Sequence, residues 1–207
     1  MGRSMTQEER YTMMTETPVS RLIPRLAVPT IISMLVTAIY NMADTFFVSQ
    51  INTSASAAVG IIFSIMAMIQ ALGFTLGMGG GNCISRTLGK REEELAERIA
   101  ATSFFTALAV GTLMAVFGLA FLNKLVIFLG ATETIAPYAR DYAGYILLGA
   151  PIMMGSFVMN NLLRSQGYAF YAMLGITTGG ILNMILDPVF IFGMGLGITG
   201  AAMATVL

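Results

Sequence analysis

The sequence predicts an all-α integral membrane protein, and the reasons are its composition and the distribution of its charges. Of its 207 residues, 56% are hydrophobic and only 11% are charged, against about 25% charged residues in a typical soluble domain. Asp44 is the only charged residue in the range 26–85, and Arg164 and Asp187 are the only two in the range 142–207. Apolar stretches of about 20 residues with so few charges are typical of transmembrane helices.

The chain divides into a short N-terminal segment and six helices. Residues 1–24 are predicted to be a cytoplasmic segment that includes an interfacial helix, with the amphipathic stretch VSRLIPRLAVP leading into the first span. Residues 25–207 are predicted to form one transmembrane lobe. Its complete spans cover about residues 25–49, 54–85, 99–122, 142–163 and 173–192. Asn52, Thr53 and Ser54 are candidate caps of the second span.

Residues 199–207 begin a sixth helix that is predicted to be truncated. Nine residues reach only about 13 Å at 1.5 Å per residue, less than half of the hydrocarbon core. We therefore expect the chain to be a fragment from which a C-terminal lobe is missing.

Lysine and arginine predict the orientation. With the N-terminus inside, the interior flanks hold nine of these residues and the exterior flanks hold only Lys124 and Arg140. This asymmetry fits the positive-inside rule. The N-terminus is therefore predicted to be cytoplasmic.

Two carboxylates are predicted to lie within the membrane, Asp44 in the first span and Asp187 in the fifth. A charged side chain at that depth costs about 2.5–3.5 kcal/mol on insertion scales, so it indicates a functional role by default. Both spans run outward in the predicted orientation. Both acids are therefore expected in the outer half of the membrane.

Asn183 and Thr205 are predicted to lie at a similar depth. Asn183 is one helical turn before Asp187, on the same face. Asp187 and Thr205 are equally far in sequence from Leu196, the middle of the turn between them, so a helical hairpin would bring the two level. Asp44 is predicted to lie at a matching depth in the membrane and completes the group.

Pro188 is predicted to act as a hinge. It has no N–H to donate to the carbonyl of Met184, and it biases Asp187 away from helical geometry. We therefore expect the helix to break directly after the carboxylate. Irregular backbone within a membrane is tolerated where it faces protein or a water-filled cavity, so the stretch ILNMILDPVF is predicted to bind and release an ion.

The predicted cation site consists of Asp44, Asn183, Asp187 and Thr205. Carboxylate, amide and hydroxyl oxygens are hard ligands that suit a small cation such as Na⁺. Two buried carboxylates can instead share a proton. The alternative is that the amide and the hydroxyl only hold helices together, at about 1 kcal/mol for each hydrogen bond.

The glycine-rich stretch GMGGGNCISRTLG, residues 77–89, has some features of a phosphate-binding loop. It follows a predicted membrane helix and lacks the Gly-Lys-Ser/Thr ending. Close packing of helices through small residues is the preferred interpretation. Gln70, in the middle of the second span, is predicted either to pack between helices or to line a cavity.

Several motifs together resemble those of the multidrug and toxic compound extrusion (MATE) transporters. They are Pro29 followed fifteen residues later by DTFFV from Asp44, Gly77-x-Gly79 with Ser85-Arg86 and Gly89, LGATETIAPYARDY, and Asn183-x-x-x-DPVFIFG followed by GI-x-GAA. The match extends from about Pro18 over essentially the whole remaining chain.

This resemblance implies the six-helix N-lobe of a twelve-helix exporter whose two lobes are related by pseudo-two-fold symmetry. Such exporters move small organic, mostly cationic, substrates by antiport with Na⁺ or H⁺. In the family, the cation site would here use Asp44, Asn183, Asp187 and Thr205. The resemblance also implies that three further residues belong to the surrounding network or cavity, namely Tyr40, Tyr142 and Asn160.

The chain is accordingly expected to be a multi-pass protein of the cytoplasmic membrane, not an enzyme and without a cofactor. Its expected partners are the lipid bilayer, small organic substrates, and a C-terminal lobe or a second copy. A zero net charge gives nucleic acid no electrostatic support. Two alternatives remain open: a lipid-linked saccharide flippase of related architecture, and a non-transporting assembly lobe.

Overall fold

The computed structural model describes residues 7–207, and within this range the chain is helical with no strand. The predicted all-α fold is therefore confirmed. The first six residues of the predicted N-terminal segment lie outside the described range. The helices are α1 (Gln7–Glu16), α2 (Val19–Ser49), α3 (Thr53–Gly89), α4 (Glu93–Ala120), α5 (Leu122–Phe128), α6 (Ala136–Ser165), α7 (Ala169–Pro188) and α8 (Ile198–Val206), and a π-helical segment, Val189–Gly193, follows α7.

Five of these helices are long and apolar enough to cross a membrane, namely α2, α3, α4, α6, and α7 with its π-helical segment. They correspond in order to the five predicted complete spans. The predicted cap of the second span is confirmed at Asn52, whose side chain accepts a hydrogen bond from the backbone N–H of Ala55 at 2.7 Å. The shorter α8 corresponds to the predicted start of a sixth span.

The helices extend beyond the predicted spans at several ends. The α4 helix begins at Glu93 instead of about residue 99, and α6 begins at Ala136 instead of about residue 142. Hydropathy detects only the part of a helix that suits lipid, whereas the alanine, arginine and glutamate residues of these turns are good helix formers. The spans predicted from hydropathy therefore left out the polar first turns of α4 and α6.

The structure has no break at residues 24–25, where the sequence predicted the end of the N-terminal segment and the start of the first span. The α2 helix runs without interruption from Val19 to Ser49, with Pro24 and Pro29 inside it. The stretch VSRLIPRLAVP is thus the start of the first spanning helix. The separate N-terminal helix is α1, which ends before Pro18.

The α6 helix lies at the centre of the lobe and packs against α3, α4 and α8. Glycines allow these helices to approach closely. A Cβ added at Gly77 of α3 would lie 2.8 Å from Asn161 Cβ, and one added at Gly111 of α4 would lie 2.6 Å from Pro151 Cα. The glycine-rich stretch of α3 therefore packs helices together, as predicted.

The α2 helix packs mainly against α7. At Gly180 the two helices are in tight contact, since a Cβ added there would lie 3.1 Å from Tyr40 Cδ1 and 3.1 Å from Val36 Cγ1. The first and fifth spans of a chain that crosses the membrane at every span run in the same direction. Asp44 is one turn beyond Tyr40, and Asn183 is about one turn beyond Gly180, so this contact places them at a similar level.

Candidate cation site

The two acids and the amide of the predicted site are all buried. Asp187 is 0% exposed, Asn183 is 7% exposed and Asp44 is 8% exposed. Among the residues whose burial is described (8, 9 and 11–207), the other buried polar side chains are those of Ser33 and Thr87, so the two acids are the buried carboxylates of this set. The burial of Asn183 and Asp187 follows from the pattern of α7, because Gly180, Asn183 and Asp187 recur at the spacing of one helix face.

Tyr142 connects α6 to this group. Its side chain is fully buried. Asp44, Asp187 and Tyr40 lie near enough to the phenol to interact with it electrostatically, and Thr205 also lies near it. The phenol hydroxyl donates to Sδ of Met66 at 3.8 Å. The structure therefore brings together side chains from α2, α6, α7 and α8 that are far apart in the sequence.

Four acceptor oxygens in the site have no hydrogen-bond partner within the described part of the chain. They are Oδ1 of Asp44, Oδ1 of Asn183, and both carboxylate oxygens of Asp187. An unpartnered buried polar group costs about 1–3 kcal/mol, and more if it is charged. Native proteins leave few such groups, so the cluster makes this place a candidate for binding a cation, a proton or water.

The Thr205 hydroxyl is available as a further acceptor. It donates its hydrogen to the carbonyl of Ala201 at 3.0 Å. Its oxygen lone pairs therefore remain for a cation or a water molecule. Taken together, the site offers oxygen ligands from two buried acids, an amide and a hydroxyl, which is chemistry that suits a small cation or a proton.

The helix does not end at Asp187, so this part of the Pro188 prediction was wrong. The α7 helix continues through Pro188, which has φ −65° and ψ −31°, and then widens into the π-helical segment. The proline ring holds φ near the helical value, so only the N–H donor to Met184 is lost. In the π-helical segment the Met194 N–H donates to the Val189 carbonyl at 2.8 Å. Single π-helical turns within helices often lie at functional sites, and the hinge role of Pro188 stays a prediction.

The structure does not place Asn160 with the acids. Its side-chain N–H donates to the carbonyl of Ala172 at 2.9 Å, near the turn between α6 and α7. Ala172 is fifteen residues before Asp187 on the same helix, or about 22 Å along its axis. Asn160 therefore joins α6 and α7 through this hydrogen bond, and its predicted place in the surrounding network or cavity stays a prediction.

A cavity of about 270 Å³ lies beside the site. Tyr40 and Thr205 line it and also lie close to Tyr142. Its other polar lining residues are Asn41, Gln70 and Ser156, and its apolar lining includes Phe63, Met66, Met153 and Phe157. Gln70 is among its lining residues, which favours the second of the two predicted roles, cavity lining.

Asn41, Ser156 and the apolar lining residues of this cavity were not predicted as site residues. An amide in the first span was the one available signal, because Asn41 lies only three residues before Asp44. Methionine and phenylalanine occur throughout the spans, so no pattern separates those that face the cavity from those that face lipid.

Comparison with known proteins gives a consistent family of transporters. The MatE family model matches residues 29–189. The chain is 32% identical to an FAD transporter of Shewanella oneidensis over 91% of its length, and 28% identical to the multidrug export protein MepA of Staphylococcus haemolyticus over 97%. It spans only 42% and 45% of these two relatives, which is less than half of their length.

Solved structures give the same fold. A transporter of the MOP superfamily from Pyrococcus furiosus superimposes with a TM-score of 0.90 at 34% identity, over 99% of this chain and 44% of that one. A multidrug resistance MATE transporter in an outward-facing conformation matches with a TM-score of 0.90, also at 34% identity, over 99% of this chain and 45% of that one. These matches confirm the helical lobe predicted from the sequence.

Proposed function

Because this chain belongs to the MatE family, we propose that it is the N-terminal lobe of an exporter that couples the entry of Na⁺ or H⁺ to the exit of small organic molecules. The main support is the set of four buried oxygens without a donor at Asp44, Asn183 and Asp187. Ionisable groups within a membrane are costly, and they are typically retained on ion or proton pathways.

The same side chains suit either coupling ion. A sodium ion would use carboxylate, amide and hydroxyl oxygens together, including that of Thr205. A proton would bind one carboxylate and be shared with its neighbour, so the pair would titrate as a unit. In both cases the positive charge offsets the repulsion between Asp44 and Asp187.

The cavity provides a site for the transported molecule next to the cation. Tyr40 and Thr205 line the cavity and lie near Tyr142, which interacts with both acids. A change in cation occupancy therefore acts on side chains that also contact the cavity. Coupling requires that the cation bind the inward-facing and outward-facing states with different affinities. A site shared by four helices meets this requirement, because relative movement of the helices changes its geometry.

The cavity lining favours neutral or cationic organic molecules. It contains methionine and aromatic side chains with a few neutral polar groups and no charged residue. Flexible methionines accommodate varied apolar shapes. The nearby charges are the carboxylates, which attract cations. Of the relatives named above, the multidrug export protein is the one whose substrates suit this lining, whereas FAD carries a pyrophosphate for which the lining provides no cationic partner.

The two alternative functions make different demands on the lobe. A flippase for a lipid-linked saccharide must accommodate phosphates, for which arginine or lysine is the usual partner, and the cavity lining includes neither. An assembly lobe would have no need of the buried acids. It would bind a cation at most, without any movement of substrate.

The distribution of lysine and arginine supports an N-terminus in the cytoplasm and a location in the cytoplasmic membrane. With this orientation α1 lies on the cytoplasmic side. The acids lie in the outer half of the membrane, where a cation arriving from outside would reach them first.

The test is cation-driven efflux from proteoliposomes that contain the natural polypeptide carrying residues 1–207. Asp44→Asn and Asp187→Asn are expected to abolish efflux, because each removes a charge from the buried pair. Asp141→Asn is the control, since Asp141 is an exposed acid near the start of α6. Normal efflux from the Asp187→Asn variant would rule out the proposed coupling.

Separate gradients identify the coupling ion in the same preparation. A sodium gradient at equal pH and a pH gradient without sodium are applied in turn. Efflux under only one of them identifies that ion as the driving one. Efflux under neither, from protein that still binds the cation, would favour the assembly lobe.

A further inference from the structure

We propose that the lobe carries a binding site for the headgroup of an aminophospholipid, between α1 and the first two turns of α2. This site lies at the end of the lobe that holds α1. It is separate from the cation site and requires only that the lobe is embedded in a membrane.

The α1 helix forms a fixed wall because it is anchored to two turns of the bundle. The Tyr11 hydroxyl donates to the Gly89 carbonyl at 3.4 Å, and the guanidinium carbon of Arg91 lies 4.6 Å from the centre of the Tyr11 ring. Met13 is only 7% exposed, and its Cε would lie 3.6 Å from a Cβ added at Gly167. The α1 helix therefore spans from the α3–α4 turn to the α6–α7 turn.

An open cavity of about 620 Å³ separates α1 from the start of α2. This volume is within the range of small-molecule sites. Its lining carries charges of both signs, with Glu9 and Glu16 on the α1 side and Arg21 and Arg25 on the α2 side. The two arginines are one helical turn apart, so they lie on one face of α2.

The arginines lie at the depth of lipid phosphates. No charged residue separates Arg25 from Asp44 along α2, so the hydrocarbon region begins close to Arg25. Ile23 and Val28 flank this point with 60% and 52% of their surface exposed, as lipid-facing residues would be. Arg21 is about 6 Å farther out by the helical rise, and the headgroup layer on each side of a bilayer is about 5–7 Å thick.

The pairing of charges across the cavity matches that of a zwitterionic headgroup. The guanidinium of Arg21 belongs to the layer in which the phosphate of a lipid is located, and guanidinium is a strong partner for phosphate. The carboxylate of Glu16 lies on the facing α1 side of the cavity, where a primary ammonium could donate hydrogen bonds to it. A choline headgroup has no N–H to donate, and a glycerol headgroup has no positive charge, so both lack this second interaction.

Lipid affinity of the purified natural polypeptide that carries this lobe tests the proposal. Short-chain phosphatidylethanolamine, phosphatidylcholine and phosphatidylglycerol are titrated separately in detergent, and the bound lipid is counted by native mass spectrometry. Phosphatidylethanolamine is expected to bind roughly tenfold more tightly than phosphatidylcholine, as one charge-assisted hydrogen bond would provide. Glu16→Gln is expected to remove this preference, and Arg21→Gln is expected to weaken all three lipids.

Glu94→Gln and Arg98→Gln are the matched controls. These residues form an exposed ion pair at 2.7 Å at the start of α4, and the changes alter the net charge by the same amounts. Both variants are expected to bind lipid as the unchanged protein does. Three results would overturn the proposal: equal affinity for phosphatidylethanolamine and phosphatidylcholine, tightest binding of phosphatidylglycerol, or an equal loss of affinity in Arg98→Gln and Arg21→Gln.

Discussion

At the scale of single residues, rarity made the acids predictable. Asp44 and Asp187 stand out because few charges occur in the spans, and the structure buries both. Asn160 was different, since an amide is common enough in membrane helices to serve either a site or a helix contact. Which of these applies depends on the helix face and depth at which it lies, and a single sequence does not determine these.

The two asparagines provide a prediction that separates the site from helix packing. Asn183→Ala is expected to lower cation affinity about tenfold, because it removes a ligand oxygen that has no other partner. Asn160→Ala is expected to leave cation affinity unchanged and to destabilise the fold by about 1 kcal/mol, because it removes the hydrogen bond to the Ala172 carbonyl. Cation titration and thermal unfolding measure the two quantities. Equal effects of the two changes on cation affinity would contradict this assignment.

At the scale of elements, the apolar spans were predictable and the ends of the helices were not. The polar turns at the start of α4 and α6 contribute little to hydropathy, and the packing of α1 on the turns at Gly89 and Gly167 joins segments that are distant in sequence. The π-helical segment after Pro188 also needed the structure. A proline indicates that one hydrogen bond is lost, but it does not indicate whether the helix stops, bends or widens.

The π-helical segment leads to a prediction about Pro188. Pro188→Ala restores an N–H donor and is expected to favour a regular helix, raising the free energy of unfolding by about 1 kcal/mol and slowing cation-driven efflux. Pro137→Ala is the control, because Pro137 lies in the first turn of α6, where its missing N–H is tolerated. Thermal unfolding and efflux are measured on both variants. An efflux rate equal to that of the unchanged protein would argue against a hinge at Pro188.

At the scale of the whole molecule, the candidate cation site is assembled from α2, α6, α7 and α8, and its members were predicted in two ways. Depth reasoning from the sequence placed Asp44, Asn183, Asp187 and Thr205 together, and Tyr40 and Tyr142 came from the resemblance. The cavity could not be predicted in the same way. It depends on how four helices pack, and its apolar lining resembles the rest of the lobe in composition.

A further prediction concerns what the lobe can do by itself. A polypeptide of residues 1–207 is expected to bind the cation, because the described residues supply the complete set of ligands proposed here. It is expected to move no substrate as a monomer, because alternating access requires a second lobe to move against. Cation binding and efflux from proteoliposomes, with cross-linking to detect dimers, provide the measurement. Efflux by monomers would contradict the two-lobe mechanism.

The pairing of α2 with α7 also has a consequence for biogenesis. Asp44 and Asp187 are about 140 residues apart, so at 5–20 residues per second the ribosome needs roughly 7–28 s to synthesise the chain between them. During that interval the first helix has entered the membrane without its partner, with a carboxylate facing lipid or the translocon. The nascent protein therefore depends on the insertion machinery, or on protonation of Asp44, until the fifth helix arrives.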